Sequence, residues 1–411
     1  MHRSLVVLGL CGWTLGCGAR GPAALAPATG TVRPGIDVLL ADSLAMVHGR
    51  RVGLVTNQAA VDAQGISDVV RLRSAGVRLV ALFSPEHGFR GAAEPGAVVA
   101  SSIDSATGLP IYSLYGRNTA PTDAMLEGVD LLLVDLQDVG ARYYTYLFTT
   151  VEVMRAAARR RIRVVVLDRP DPIGGAVQGN VLDPAYASPV GLLAVPMRYG
   201  MTLGELARLA RSDLGLTTDL AVVPVSGWRR AAGLEATGLP FVPPSPNLQS
   251  VESLYHYPGV CLFEGTNLSV GRGSAAPFEQ IGAPWLDTSA VLARVRQARL
   301  PGVRFAGVTF TPERPGDGKY ADTLLAGIRL VTTDREAYDP TAAAMHLLAA
   351  IRGVHGDRFQ WIPRQFDRLA GGPRLREQVE ANIAPEDIVH AWEPALGRFR
   401  ERRRAVLLYP E

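Results

Sequence analysis

The chain has 411 residues, 47% of them apolar, and a formal charge of +3. That length supports two domains and a large core, and the composition excludes intrinsic disorder. The charge is too small to imply nucleic acid as a partner, and because Lys319 is the only lysine among 42 basic residues, runs of arginine reflect composition more than function.

The first residues read as a processing segment. Met1-His2-Arg3 supplies a positive start, and Leu5 to Leu15 is an apolar run too short to span a bilayer. It ends at Gly16-Cys17, the arrangement of a bacterial lipoprotein signal, so residues 1–17 are expected to be a signal peptide with Cys17 as the acylated new terminus. Residues 18–31 are rich in Ala, Gly and Pro and read as a tether. The expected location is the bacterial periplasm or cell envelope, with membrane contact only through the lipid. Cys261 is then the one remaining thiol, so no intramolecular disulfide framework forms. Its apolar surroundings, Val260 to Phe263, suit a buried core residue.

From residue 32 onward, continuous apolar runs predict buried strands at Arg51–Thr56, Val77–Phe83, Val129–Val134, Ile162–Leu167 and Leu220–Val225. Helical spacing fills Thr145–Arg161, and a capping box, Thr202-Leu203-Gly204-Glu205, opens a helix over Leu203–Asp213. Strands apolar on both faces, alternating with helices, predict an α/β fold with a doubly wound parallel sheet. Parallel strands end at one edge, so the polar clusters after four of them should converge there. These clusters are Asn57-Gln58, Ser84-Pro85-Glu86-His87-Gly88, Asp135-Leu136-Gln137-Asp138 with Arg142-Tyr143-Tyr144, and Asp168-Arg169-Pro170-Asp171.

The texture changes between Phe241 and Pro284. Phe241–Leu248, containing Asn247, is Pro-rich, and Glu264–Ser274, containing Asn267 and Arg272, is polar and Gly-rich; both read as binding loops. A second α/β region follows, with a helix at Ser289–Ala298, strands at Arg304–Phe310 and Ala326–Thr332, a helix at Thr341–Arg352 and a final strand at Ala405–Tyr409. The division expected is a catalytic domain over 32–284 and a smaller C-terminal domain over 285–411. Arg398–Arg404 reads as a solvated helix face.

Several chemistries find no motif. There is no G-x-G-x-x-G turn after the first strand, no G-x-x-x-x-G-K-[ST] loop, no G-x-S-x-G elbow and no H-E-x-x-H. Glu86 and His87 are adjacent, so on an extended segment they would diverge, and neither a metal nor another cofactor is expected. The carboxylates, amides, Arg and Tyr that remain suit a polyhydroxylated ligand. Glycoside cleavage needs an acid for the leaving oxygen and usually a second carboxylate, with Glu86, Asp135, Asp138, Asp168, Glu264 and Glu279 as candidates. Tyr143, Tyr144 and Phe278 could stack on sugar faces, and Arg272, between two glycines, could hold a carboxylate bidentately.

Ordered motifs from Gly53-Leu54-Val55-Thr56-Asn57-Gln58 through Phe83–Gly88, Asp135–Tyr146, Leu167–Pro170, Gly200–Glu205 and Pro244–Asn247 to Phe263–Gly273 resemble those of the exo-β-N-acetylmuramidase (NamZ-type) family. The resemblance implies a Rossmann-like catalytic domain, a smaller second domain, a cleft between them, and removal of N-acetylmuramic acid from the non-reducing end of peptidoglycan fragments. The expected partners are muropeptide-derived amino sugars. Glu86, His87, Asp138 and Glu264 are the expected catalytic residues. Asn57, Gln58, Gln137, Arg142, Tyr143, Asp168, Asn247, Asn267, Arg272 and Phe278 are expected to bind substrate. Asp171, Tyr199 and Ala276 depart from the family pattern, which is expected to carry Asn, His and a basic residue at these positions; this bears on specificity more than on activity. The rival classes are a carbohydrate-binding protein without activity, which would not need Glu86, and a metal-dependent hydrolase.

Overall fold

The computed structural model describes residues 31–411; the signal peptide and nearly all of the tether lie outside the described residues. Twelve strands are present among the described residues. Strands β1 (Arg51–Thr56), β2 (Arg78–Ser84), β3 (Ser102–Ile103), β4 (Pro110–Ser113), β5 (Leu131–Asp135), β6 (Arg163–Leu167) and β9 (Leu220–Val223) form one sheet in the order β3-β4-β2-β1-β5-β6-β9. All neighbours are parallel except β3 with β4. Strands β7 (Gln178–Val181) and β8 (Pro196–Arg198) make a separate antiparallel pair.

The central strands are buried on both faces, as their continuous apolar sequence requires. Leu54, Leu82, Leu131, Leu133 and Val165 pack on one side, toward the Gly35–Asp42 and Asp68–Ser74 helices. Val55, Phe83, Leu132, Val134 and Val166 pack on the other, under the Tyr146–Arg160 and Leu203–Asp213 helices. Both sides of the capping box at Thr202 and Glu205 are formed. The chain leaves β1 for β2 and β4 on one side and β5, β6 and β9 on the other, so β1 and β5 flank the switch point where open α/β sheets usually hold ligands.

A second unit holds an antiparallel sheet, β10 (Gln280–Ala283), β12 (Leu325–Thr332) and β11 (Val303–Phe310) in the order β10-β12-β11. The helices Val251–Val260 and Thr288–Val295 pack on it, and Pro340–His355 packs against these two helices. Because β10 hydrogen-bonds β12, an expected boundary at 284/285 cuts this sheet, and the second unit takes in residues from 251 onward. The expected final strand is also corrected. After the Glu393–Arg404 helix the chain turns, and the Leu408 amide donates to the Glu205 carboxylate at 2.7 Å rather than to a neighbouring strand. Arg403 departs from the expected solvated face too, since it is buried and donates to the carbonyls of Tyr199 and Gly200. Cys261 is a buried free thiol.

Candidate active site

Strand β2 delivers Glu86. After Ser84 the backbone turns sharply: the Gly88 amide donates to the Pro85 carbonyl, and His87 and Gly88 both take left-handed conformations, with φ of 71° and 76°. A left-handed φ at a non-glycine residue is costly and needs support from its surroundings. That support includes the His87 ring, whose Nδ1 lies 2.8 Å from the Ala93 carbonyl, and the His87 carbonyl, which accepts from the Ala93 amide. The segment is therefore not extended, and Glu86 and His87 face the same cleft instead of diverging. Burial lowers the His87 pKa, which the neighbouring Glu86 carboxylate partly offsets.

The Glu86 carboxyl is buried at 8% exposure and held from two sides. The Gly96 amide donates to Oε1 at 3.1 Å and the Thr145 hydroxyl to Oε2 at 2.8 Å. Tyr115 lies beside it, its hydroxyl pushed up to about 12 by burial and by the charge of Glu86.

The opposite wall comes from the second unit. Glu264 lies in a short 3₁₀ turn, Cys261–Gly265, and Arg272 donates to its Oε1 through Nε at 2.8 Å and through Nη2. The Arg272 guanidinium lies 4.9 Å from the centre of the Phe278 ring. Its Nη1 is buried and has no partner among the described residues, as is Nδ2 of Asn247. Glu86, His87, Asn247, Glu264, Arg272 and Phe278 line one cleft of about 690 Å³, with Tyr143 and Tyr144. The aromatic rings are almost wholly buried and pack edge to face through Tyr257, so they brace the cleft more than they offer flat sugar platforms.

The other expected residues lie elsewhere. Asn57 donates to the Tyr146 hydroxyl and Gln58 to the Pro243 carbonyl. Gln137 binds the carbonyls of Asp138 and Pro170. Asp138 accepts from Tyr199 and the Gly140 amide, and burial raises its pKa to about 6. Burial and the nearby Asp138 raise Asp171 to about 8. Asp168, raised to about 7 chiefly by burial, accepts from Thr202, Gly204 and Tyr409. Arg142 clamps backbone carbonyls, with Nη1 at 2.7 Å from Asn180 and Nη2 at 2.9 Å from Leu369. Asn267 is tied to Arg358 and Gln360.

Asn57, Gln58 and Gln137, which follow β1 and β5 at the switch point, spend their amides on the protein itself. Asp135 at the end of β5 is ion-paired with Arg169, whose other nitrogen reaches the Val61 carbonyl. The open cleft is consequently displaced toward β2 and β4 and closed by the second unit. Sequence reasoning missed Tyr115, Thr145, Phe148, Gln365 and Arg368, all of which line it. Tyr115 was detectable as a residue following a parallel strand, had β4 been recognised. Arg368 sits on the Pro363–Ala370 helix with no motif around it.

Two family models match the chain, the N-terminal part of exo-β-N-acetylmuramidase NamZ over residues 52–252 and its C-terminal part over 255–409. The peptidoglycan β-N-acetylmuramidase NamZ of Bacillus subtilis is 41% identical over 381 residues, 92% of this chain and 91% of that protein. A crystal structure of a DUF1343-family protein from Bacteroides fragilis superposes with a TM-score of 0.85 at 33% identity, covering 92% of this chain and 99% of that one. A second from the same organism gives 0.76 at 32%, covering 93% and 100%. The motifs, the two-unit cleft and the near full-length identity agree, and the chain belongs to the exo-β-N-acetylmuramidase NamZ family.

Proposed function

We propose that this cleft hydrolyses the glycosidic bond of a terminal N-acetylmuramic acid at the non-reducing end of peptidoglycan fragments. The observation that carries the reading is the pair of carboxyls, Glu86 and Glu264, brought to one cleft from two different units. The volume of about 690 Å³ suits a sugar or a disaccharide rather than a long glycan strand.

In this reading protonated Glu86 gives its proton to the glycosidic oxygen as the bond to C1 breaks. Positive charge develops on the ring, and the Glu264 carboxylate or the sugar's own acetamido oxygen meets it; water then completes the hydrolysis. Arg272 holds one oxygen of Glu264 and leaves Oε2 with only a distant Cys261 contact at 3.9 Å. The unpartnered Nη1 of Arg272 would receive the lactyl carboxylate that distinguishes muramic acid from glucosamine. The unpartnered amide of Asn247 would serve a hydroxyl or acetamido oxygen. Arg142, the other arginine of the motif set, has its guanidinium occupied by backbone carbonyls.

The test is turnover by the purified chain of a chromogenic β-N-acetylmuramide and of fragments ending in muramic acid. Free N-acetylmuramic acid should appear, and intact sacculi should stay insoluble. Rapid solubilisation of sacculi into long fragments, or no release from either small substrate, would overturn the proposal.

We further propose that the chain is exported and anchored through Cys17, supported by the basic start, the short apolar run and Gly16-Cys17. Labelling with a palmitate analogue should mark the wild type and not Cys17→Ala. Equal labelling of both would refute the anchor.

A further inference from the structure

The carbonyls of the loop that carries Glu264 converge on one side chain. Lys319 Nζ lies 2.7 Å from the Thr266 carbonyl, 3.0 Å from those of Glu264 and Leu268, and 3.5 Å from that of Phe263. The Ile362 amide serves the Gly265 carbonyl and the Tyr320 hydroxyl that of Asn267, so every carbonyl from 263 to 268 has a partner. A 3₁₀ turn ends with unpaired carbonyls and a negative dipole end, which a cation there satisfies. The residue chosen is telling in a chain with one lysine. An ammonium is a compact charge with three donors that can reach several oxygens around one point, whereas a planar guanidinium fork cannot. Lys319 also follows Gly316 and Asp317, which line the cleft.

We propose that Lys319 is a positioning residue for Glu264, its ammonium standing where a bound potassium-sized cation would, gathering the carbonyls of Phe263, Glu264, Thr266 and Leu268 to fix the turn from which Glu264 meets Arg272. The proposal rests on the muramidase reading of the cleft. It accounts for how a single short 3₁₀ turn, whose Phe263 carbonyl also accepts from the Thr266 amide and hydroxyl, holds a carboxylate in one place.

The experiment is a double-mutant cycle with Lys319→Met and Glu264→Gln on the full chain. In folded Lys319→Met, kcat should fall about 10- to 100-fold, the effect of a misplaced group, with KM within about twofold. The double variant should be no slower than Glu264→Gln alone, because Lys319 acts through that carboxylate. Hydrogen exchange of the amides at 266–269 should accelerate in Lys319→Met and slow again with added methylammonium. Lys319→Gln, which can still donate to two carbonyls, serves the same cycle if the Met variant does not fold. Additive losses, an unchanged kcat, or unchanged loop exchange would overturn the role. Failure of the wild type to turn over muramides would instead remove the muramidase reading, while leaving the exchange measurement intact.

Discussion

Replacing Glu86 by Gln keeps the shape of the side chain and removes its ability to give or take a proton. The Gln carbonyl can still accept from the Gly96 amide, and its amide can pair with the Thr145 hydroxyl, so both contacts that hold the side chain survive in altered form. Each neutral hydrogen bond contributes about 0.5–1.5 kcal/mol, so the melting temperature should move by only a few degrees. If Glu86 is the acid, muramide turnover should fall by about 10²–10⁴-fold, equivalent to about 3–5.5 kcal/mol of barrier. The assay is release of the chromophore from a β-N-acetylmuramide, with thermal unfolding run beside it. An internal control exists in Tyr115, whose pKa is raised by burial and by the Glu86 charge. In the variant this tyrosine should ionise at lower pH, which ultraviolet difference titration against the wild type would register. A folded Glu86→Gln enzyme keeping more than a tenth of wild-type turnover would refute the acid role.

The remaining predictions concern recognition and pH. Arg272→Ala should cut hydrolysis of a muramide far more than that of a matched N-acetylglucosaminide, whereas Arg142→Ala should lower the melting temperature through its orphaned carbonyls; equal losses on both substrates for Arg272→Ala would remove it as the reader of the lactyl group. The buried carboxyls Asp138 and Asp171, near 6 and 8, sit above the unfolded value of about 4. Stability from keeping them neutral is complete below about pH 4 and is lost as pH rises through 6 to 8. Asp171→Asn, beside Arg198, Arg230 and the Asp138–Tyr199 pair, should therefore gain on the wild type by about 1–3 kcal/mol between pH 5 and pH 8 and not below about pH 4. Denaturant titration at these pH values checks it, and a gain independent of pH would refute the shared burial of the two carboxyls.

The sheet was legible because its strands are apolar without interruption. Arg51–Thr56 and Leu203–Asp213 appear at the positions their sequence predicts. Short elements were not: β4 has four residues beginning with a proline, too few to show a period. The lining of the cleft was legible at Glu86, His87, Asn247, Glu264 and Arg272, where unusual residue types lie in irregular loops. Asn57, Gln137, Asp138, Arg142 and Asp168, also expected there, lie outside that lining. Those residues do follow the strand ends, but they are taken up by tyrosine and threonine hydroxyls and by backbone amides and carbonyls. Sequence shows which groups gather at an edge, not whether they satisfy one another there or are left open to a ligand. The extended geometry expected at Glu86 and His87 is replaced by a turn, since nothing in the local sequence announces a left-handed histidine.

The join between the two family segments, at residues 252–255, falls in the first turn of the Val251–Val260 helix, which is buried over most of its length. The Arg142 clamp ties the first segment to Leu369 of the second. The two named segments are thus joined through a continuous helix and a shared buried hydrogen bond rather than by a free linker. A polypeptide cut short before residue 369 would carry Glu86 and its whole supporting turn, yet leave Arg142 buried without one of its acceptors. Such a chain would lack the Glu264 wall's partner helix as well, so the cleft depends on the polypeptide being made through to that helix.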